Sequence, residues 1–473
     1  MTGAIVNHPL FGRGHALEQR NAARETVVRF DSGIRAVVQT SMLTALETSA
    51  AALAPAPIPA PHKQRSENSH APEEVKRIEA RRTIEALRYG VVPVQRIREL
   101  SVGLEPERAS LQKAFANVAA QGGDVRVVVG EYGAGKSHFF ELAAQEALAH
   151  NFVVATTSLD LREVPPNRPQ RIYNALLRSL RYPEAPDAVG VTHLLDRIVT
   201  QPKLYAELVE NLRGTLFGSA LYNYSLMHER HDESLRVLLD WIAGEKMVIK
   251  KVRDAVAFHS KEVPIPSLSQ LTTAADQYCY MLNGWGWLAE QAGYAGLAVF
   301  IDESEHYSLL TQRGQERADN FFKGLIYTAL AARPDVRLRE SDLEHQHRPH
   351  PFRLTERSQL LLLFAVTPSA STFDYRRWLD DEQILTLGKY LPAEALDDLM
   401  ARLYVLHRQA YAYENASQYL DLSEGLLECL ENNLLNLRQT IRLAVDIYDR
   451  CYAHRDYTAA QAVGELRQAL LGR

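Results

Sequence analysis

Val125-Arg126-Val127-Val128-Val129-Gly130-Glu131-Tyr132-Gly133-Ala134-Gly135-Lys136-Ser137-His138 is the stretch from which the rest of the chain is read. A β-prone apolar run leads without a gap into Gly-x-x-x-x-Gly-Lys-Ser, Gly130 to Ser137, and then into the helix-forming Phe139-Phe140-Glu141-Leu142-Ala143-Ala144. Strand, glycine-rich loop and helix in that order make a phosphate-binding loop. The glycines permit backbone angles and close approaches that a Cβ obstructs, so successive N–H groups can face a phosphate at the positive end of the helix. In that arrangement Lys136 reaches the β- and γ-phosphates, and the Ser137 hydroxyl ligates Mg²⁺. The candidate nucleotide-binding residues are therefore Gly130, Glu131, Tyr132, Gly133, Ala134, Gly135, Lys136, Ser137 and His138, with ATP and Mg²⁺ as the expected cofactors.

Working outward, Leu297-Ala298-Val299-Phe300-Ile301 predicts a fully buried strand, and Asp302-Glu303 follow at its C-terminal end, where α/β sheets place their chemistry. In the Walker B role Asp302 holds Mg²⁺ and Glu303 polarises the attacking water; a solvated loop start is the plainer alternative. Leu360 to Val366 predicts a third buried strand, ending in Thr367-Pro368, and Phe152 to Asp160 a fourth. These elements alternate with helical segments, which predicts an α/β fold with a parallel sheet flanked by helices. The separation of about 165 residues between Ser137 and Asp302 speaks against a P-loop kinase.

The 473 residues suggest about three domains. An apolar share of 46% and a charged share of 23% are those of an ordinary folded protein, and 53 basic against 58 acidic residues leave no global basic field for nucleic acid. Cys279, Cys429 and Cys451 are far apart and lack C-x-x-C spacing, so they read as reduced or buried thiols rather than a metal site. No N-terminal apolar h-region and no run of about 20 apolar residues is present, which predicts a cytoplasmic protein without membrane contact.

Residues 1–48 read as a small β unit. Glu25 to Phe30 and Ile34 to Val38 flank the turn Asp31-Ser32-Gly33 as a hairpin, preceded by Asn7-His8-Pro9-Leu10-Phe11-Gly12-Arg13-Gly14-His15-Ala16-Leu17. Residues 49–72 form a Pro/Ala-rich tether whose alternating prolines favour polyproline II. A helix is expected from Glu73 through Ala86, with Val75, Ile78, Ile84 and Leu87 on its apolar side and Pro93 as its stop, and another from Ala109 to Ala120. The core spans residues 73–390, with a largely helical insertion over about 169–281. Its Tyr205, Tyr222, Tyr224, Trp241 and Tyr278 read as core. Between Arg333 and Arg357, the arginines Arg337, Arg339, Arg348 and Arg353 mix with His345, His347 and His350 as an exposed polar loop, with zinc or DNA phosphate as alternatives. Residues 391–473 are expected to be an α-helical lid: Ala393 to Tyr413, Leu422 to Glu431, Leu437 to Tyr452 and Thr458 to Leu471.

Three resemblances add to this reading. The His-Pro-x-Phe-Gly-x-Gly pattern from His8, with Val-x-Phe-x-x-Gly after it, resembles the Tudor- or SH3-like β-barrel module at the C-terminus of UvrD-type helicases, which implies docking on protein or nucleic acid. The P-loop, acid pair, third strand and helical lid resemble the AAA+ ATPases. That likeness implies adenine contacts at Val102-Gly103-Leu104, a sensor 1 role for Thr367, and a sensor 2 role for Arg438 with Arg442 in reserve. It also leaves Arg376 and Arg377 as either trans-acting groups or a solvated pair. Finally, Val-Val-Val-Gly-Glu-Tyr-Gly-Ala-Gly-Lys-Ser-His, the upstream Arg-Arg-Thr-Ile-Glu-Ala-Leu-Arg-Tyr-Gly-Val-Val-Pro and Phe-Ile-Asp-Glu-Ser-Glu resemble the BREX-type phage-defence ATP-binding proteins (BrxD-like) over about Arg81 to Tyr448. This implies an AAA+ core similar to the origin-recognition ATPases. The N-terminal module, the tether, and Leu437 in place of a proline before Arg438 depart from the family pattern. The expected function is an ATPase that couples hydrolysis to conformational change in a DNA-associated defence complex, with Glu303, Lys136, Thr367 and Arg438 catalytic and Ser137 and Asp302 on the metal. A nucleotide-gated scaffold that recruits a helicase with little turnover is the alternative. Expected partners are ATP, a helicase or other component of the defence island, and DNA; self-assembly is left open.

Overall fold

A computed structural model describes residues 4–8, 12–20, 24–30, 35–45, 71–230, 232–257, 263, 265–266, 274–330, 333, 336–345, 350–368, 374–388, 391–413, 419–431, 435–454, 456–466 and 468–469. The hairpin turn at 31–33 and most of the 49–72 tether lie outside the described residues. The chain divides into two compact units, Met1–Asn68 and Ser69–Arg473.

The first unit is an antiparallel sheet of β1 (Ile5–His8), β2 (Gly12–Arg20), β3 (Glu25–Phe30), β4 (Arg35–Gln39) and β5 (Thr44–Ala45), in the order β4-β3-β2-β1-β5. The expected hairpin is β3–β4, in the register Thr26↔Val38 and Val28↔Ala36. Val6, Ala16, Val28 and Leu43 form its small core. Among the described residues the edge strands β4 and β5 are not paired with each other.

In the second unit α1 (Ala71–Arg88) is followed by the short α2 (Ile97–Leu100) and α3 (Glu105–Gln121), and then by β6 (Asp124–Val129), α4 (Lys136–Ala149) and β7 (Phe152–Ser158). Six helices follow: α5 (Pro169–Arg178), α6 (Thr192–Val199), α7 (Pro202–Asn211), α8 (Leu216–Met227), α9 (Glu233–Ile242) and α10 (Ile249–Ala257). The chain returns through α11 (Ala275–Gln291) to β8 (Gly296–Asp302), α12 (Gln312–Leu330), β9 (Leu360–Val366) and β10 (Ile384–Thr386). It closes with α13 (Ala393–Tyr411), α14 (Tyr419–Glu431), α15 (Leu437–Ala453) and α16 (Ala459–Leu466).

The five strands β10-β6-β9-β8-β7 form one parallel sheet. Side chains alternate across it as strand geometry demands. Val125, Val127 and Val129 of β6 face α5, α11 and α12, whereas Val128 faces α3 and α4. All seven residues of β9 are buried, as expected of a central parallel strand with helices on both faces. β10 escaped the sequence reading because three residues carry too little periodicity to mark a strand.

Arg126 corrects the reading of β6 as an apolar run. It is 2% exposed, and its guanidinium donates to the fully buried carboxylate of Asp124, Nη1 to Oδ1 at 2.5 Å. Burial pushes the Asp124 carboxyl up and the Arg126 guanidinium down, and the pair offsets part of that cost for both.

The insertion adds no separate body, because its core is continuous with that of the sheet. Tyr173 of α5 donates to the Ile242 carbonyl (2.9 Å) and accepts from the Trp285 indole (2.8 Å). Tyr224, Trp241 and Tyr278 are core, as expected, while Tyr205 and Tyr222 are only half-buried. The loop after α12 is exposed at Arg337, Arg339, His345 and Arg357, as expected, and is anchored to the body at a few points. Phe352 is buried, Asn283 accepts the Leu354 N–H (2.8 Å), and His345 packs on Phe352. Three of its arginines have partners: Arg353 stacks over Tyr327 (4.6 Å), Arg337 pairs with Asp380, and Arg357 donates to the Ala119 carbonyl. His347 and Arg348 lie outside the described residues, among which no group of three metal-ligating side chains occurs.

α1 departs from expectation in its buried face. Val75 and Ile78 are 53% and 46% exposed, while Ala80, Thr83, Ile84 and Leu87 are buried against α13 and α15. The helix stops before Pro93: Gly90 at φ +68° closes it, with Val91 N–H to the Ala86 carbonyl (2.8 Å) and Gly90 N–H to the Leu87 carbonyl (2.9 Å). α3 starts earlier than expected, at Glu105, with Pro106 in its first turn. The four C-terminal helices begin and end within a few residues of their expected bounds, although the expected end of the last, at Leu471, lies outside the described residues. All three cysteines are buried and none forms a disulfide. No described helix is long and apolar enough to cross a membrane.

Candidate functional site

At the C-terminal edge of the sheet a cleft of about 490 Å³ lies between the sheet and the C-terminal helices. β6 delivers the glycine-rich loop to one end of it. Gly130 N–H donates to the Val366 carbonyl (3.1 Å), which ties the start of the loop to the end of β9. Gly133 (φ +83°) and Gly135 (φ +91°) adopt the left-handed conformation that lets the loop reverse into α4. At Gly135 a Cβ would meet nothing, so conformation alone demands glycine there. At Gly133 it would sit 2.8 Å from the side-chain carbon of Asn436, so space demands it as well.

Lys136 opens α4 and is 8% exposed. Its ammonium donates to the Gly130 carbonyl (2.9 Å), to Thr367 Oγ1 (2.9 Å) and, longer, to the Glu131 carbonyl (3.4 Å). Ser137 Oγ donates to Asp302 Oδ2 at 2.7 Å, while Asp302 Oδ1 accepts the Glu303 N–H at 2.8 Å. A hydroxyl and a carboxylate meeting in this way are hard oxygen donors of the kind Mg²⁺ takes, so the donor set fits that ion. Glu303 is exposed at the cleft and holds φ 58°, a backbone state costing roughly 1–2 kcal/mol in a residue with a Cβ.

The C-terminal helices contribute the N-terminus of α15. Asn436 caps it, accepting from Gln439 N–H (3.0 Å) while the Gln439 side chain accepts the Asn436 N–H (2.9 Å). Arg438, in the first turn, lies over the Tyr132 ring at 5.8 Å, with Nη1 3.5 Å from the phenol oxygen, and lines the cleft. Arg442, one turn on, instead donates to the Arg88 carbonyl (3.1 Å) at the end of α1. Tyr132 is 71% exposed. Arg376 and Arg377 stack on their neighbours Tyr375 and Trp378.

The far end of the cleft is apolar, lined by Val91, Pro93, Val102, Leu104, Leu391 and Ile441 among others. Val102-Gly103-Leu104 thus face the same space as the glycine-rich loop. His138 lines it too, and its Nε2 meets Ser101 Oγ at 2.8 Å; that hydroxyl donates onward to the Ile97 carbonyl (2.7 Å). Burial lowers its pKa to about 4, so the imidazole is neutral at pH 7 and brings no charge to a phosphate. Of the residues singled out in the sequence, Tyr132, Gly133, Ala134, Gly135, Lys136, Ser137, His138, Asp302, Glu303 and Arg438 line one cleft, and Thr367 joins it through Lys136. Sequence reasoning missed Asn436 and, beyond Val102-Gly103-Leu104, the rest of the apolar wall. Only the cap-box spacing of Asn436 and Gln439 could have marked that helix start.

A family model for the BREX system ATP-binding protein BrxC/D matches residues 75–211 and 202–326, and no curated protein matches the chain. The matched stretches cover more than half of the chain and include the glycine-rich loop and the Asp302-Glu303 pair. On this match the chain belongs to the BrxC/D family of ATP-binding proteins of the BREX phage-defence system.

Proposed function

We propose that the chain is a Mg²⁺-dependent ATPase of the AAA+ kind whose hydrolysis cycle moves the C-terminal helices against the sheet. The single observation that carries this reading is convergence: Ser137 meets Asp302 at 2.7 Å and Lys136 meets Thr367 at 2.9 Å, across 165 and 231 residues of chain. The AAA+ assignment is supported by β9, which pairs with both β6 and β8 and ends at Thr367, and by the helical layer that sets Arg438 at the cleft. On this reading Lys136 and the loop amides hold the β- and γ-phosphates, and Ser137 and Asp302 hold the metal. Bound there, Mg²⁺ supplies charge neutralisation at the phosphate oxygens. Glu303 orients and polarises water, Thr367 fixes Lys136, and Arg438 reaches the γ-phosphate from the lid.

The test is ATP turnover of the wild type, Lys136→Ala and Glu303→Gln, with and without DNA. A positioned general base contributes about 10²–10⁴-fold, so Glu303→Gln should lose that much while still binding nucleotide. Equal rates in all three proteins refute hydrolysis at this site. DNA that changes turnover supports action in a DNA-associated defence complex in the cytoplasm.

A second reading, a nucleotide-gated scaffold that recruits a helicase, is favoured by the separate compact unit Met1–Asn68. Its antiparallel sheet suits a Tudor- or SH3-like docking module. Bound nucleotide without steady phosphate release, together with loss of helicase binding on deleting residues 1–48, selects this reading.

A further inference from the structure

The turn that carries Val102-Gly103-Leu104 is packed on both sides of the cleft. Just before it, Ile97 of α2 is buried in the core that α4 shares with the sheet, whereas Leu100 and Val102 are buried with Leu396, Leu399 and Met400 of α13. Gly103, at φ +64°, lies so near α13 that a Cβ there would sit 3.1 Å from that of Ala395. At the cleft His138 ties this turn to α4, its Nε2 meeting Ser101 Oγ at 2.8 Å. Farther along α4, Gln145 donates to the Val94 carbonyl, and its own carbonyl accepts from Arg98 (3.1 Å). The direction of the His138 bond is set by its neighbour. A hydroxyl has one proton, and Ser101 gives it to the Ile97 carbonyl at 2.7 Å, an atom that can only accept. The imidazole therefore donates from Nε2–H, which commits that nitrogen to the protein rather than to a phosphate.

A nucleoside triphosphate has two ends with different needs. Its phosphates need N–H donors and a cation, which the glycine-rich loop and Lys136 offer, and its base needs apolar walls, which lie at Val102, Leu104 and Ile441. Separate segments of chain carry the two ends, and a site holds its ligand well only when such parts are fixed relative to one another to within about 0.5 Å. We propose that His138 is a positioning residue: by donating to Ser101 it holds the base-side turn in register with the glycine-rich loop, so that one nucleotide can be gripped at both ends. Its effect reaches the ligand through residues 102–104 and not through a phosphate contact. The inference rests on the cleft being the ATP site and assigns the part of the nucleotide that His138 governs.

The experiment is calorimetric titration with ATP and with inorganic tripolyphosphate, each with Mg²⁺, on the full chain. The proteins are the wild type, His138→Ala, His138→Gln, Ser101→Ala and the double variant His138→Ala/Ser101→Ala. Tripolyphosphate carries the phosphates without the nucleoside. Loss of one hydrogen bond of ordinary net strength should weaken ATP about 3- to 10-fold in His138→Ala and in Ser101→Ala, with no further loss in the double variant. Tripolyphosphate should stay within about 2-fold throughout, and its retained binding also reports that the variants are folded. The Gln amide nitrogen can stand in for Nε2–H, so His138→Gln should return ATP to within about 2-fold of the wild type. Tripolyphosphate weakened as much as ATP overturns the assignment in favour of a direct phosphate contact. ATP binding unchanged in His138→Ala, no recovery in His138→Gln, or losses that add in the double variant overturn it too. A wild type that binds tripolyphosphate as tightly as ATP overturns this inference and leaves the phosphate role of the loop standing; one that binds neither overturns the cleft reading as well.

Discussion

Thr367→Val is the most searching perturbation of the glycine-rich-loop end of the cleft, because it changes one polar atom and nearly nothing in shape. In the structure Lys136 is 8% exposed, and its ammonium spends one of its three donors on Thr367 Oγ1 at 2.9 Å. A hydrogen bond from a charged donor contributes about 1.5–3 kcal/mol, and a donor left unmatched at a buried site costs a similar amount, so the substitution should destabilise by about 2 kcal/mol. The hydroxyl can matter for other reasons, so the decisive quantity is coupling. In a Lys136→Met background no ammonium remains to be orphaned, and Thr367→Val should then cost little. Urea unfolding of the four proteins of this cycle, without nucleotide, measures the difference. Tryptophan fluorescence suits the purpose, since Trp241, Trp285, Trp287 and Trp378 all lie in the unit Ser69–Arg473. A coupling energy of about 2 kcal/mol is expected. Losses that simply add, within about 0.5 kcal/mol, would refute a shared bond and with it the meeting of the glycine-rich loop with β9.

Two further outcomes follow from other parts of the molecule. Gly284→Ala places a Cβ 2.2 Å from the Phe217 ring, where α11 meets α8, so it should destabilise the body by about 1–3 kcal/mol in the same urea assay; an unchanged midpoint would mean that the insertion does not share the sheet's core. In the lid, burial pushes the Asp449 carboxyl up, but His407 at 2.9 Å and the two-pronged Arg88 outweigh it and hold the carboxyl below the usual range. A depressed folded value gives stability that is present above the unfolded value of about 4 and lost as pH falls through the folded one. Thermal unfolding of the wild type and Asp449→Asn should therefore differ at neutral pH, begin to approach near the unfolded value of about 4 and meet only below the depressed folded value; a gap that does not shrink in acid would contradict the network.

The chemistry-bearing motifs were legible because they are local. Gly130 to Ser137 encodes its own loop, Leu297 to Asp302 its own buried strand, and neither needs a distant partner to be recognised. The lid helices were legible for a similar reason, since a helix writes its period into its own residues. Errors came where a distant surface decides. Val75 and Ile78 share the helical period with Ile84, yet only the half of α1 that reaches α13 and α15 is covered. Arg126 broke the apolar run of β6 without breaking the strand, because Asp124, two residues back on the same face, supplied its counter-charge. The polar loop after α12 is exposed as read, but its anchors were not legible, since the carboxamide of Asn283 and the face of Tyr327 that receive it come from other elements.

By itself the amino-acid sequence determined that a glycine-rich loop between strand and helix, an acid-tipped strand and a helical C-terminus exist, since glycine conformation, strand burial and helix periodicity are properties of short stretches. Only the tertiary structure decided that α1, from the beginning of the second unit, is clamped by α15, through Arg442 to the Arg88 carbonyl and Asp449 to the Arg88 guanidinium. It also decided that Arg438 rather than Arg442 faces the cleft. Those outcomes depend on which helix faces are buried against which, a matter of packing between segments more than 300 residues apart that no local pattern contains.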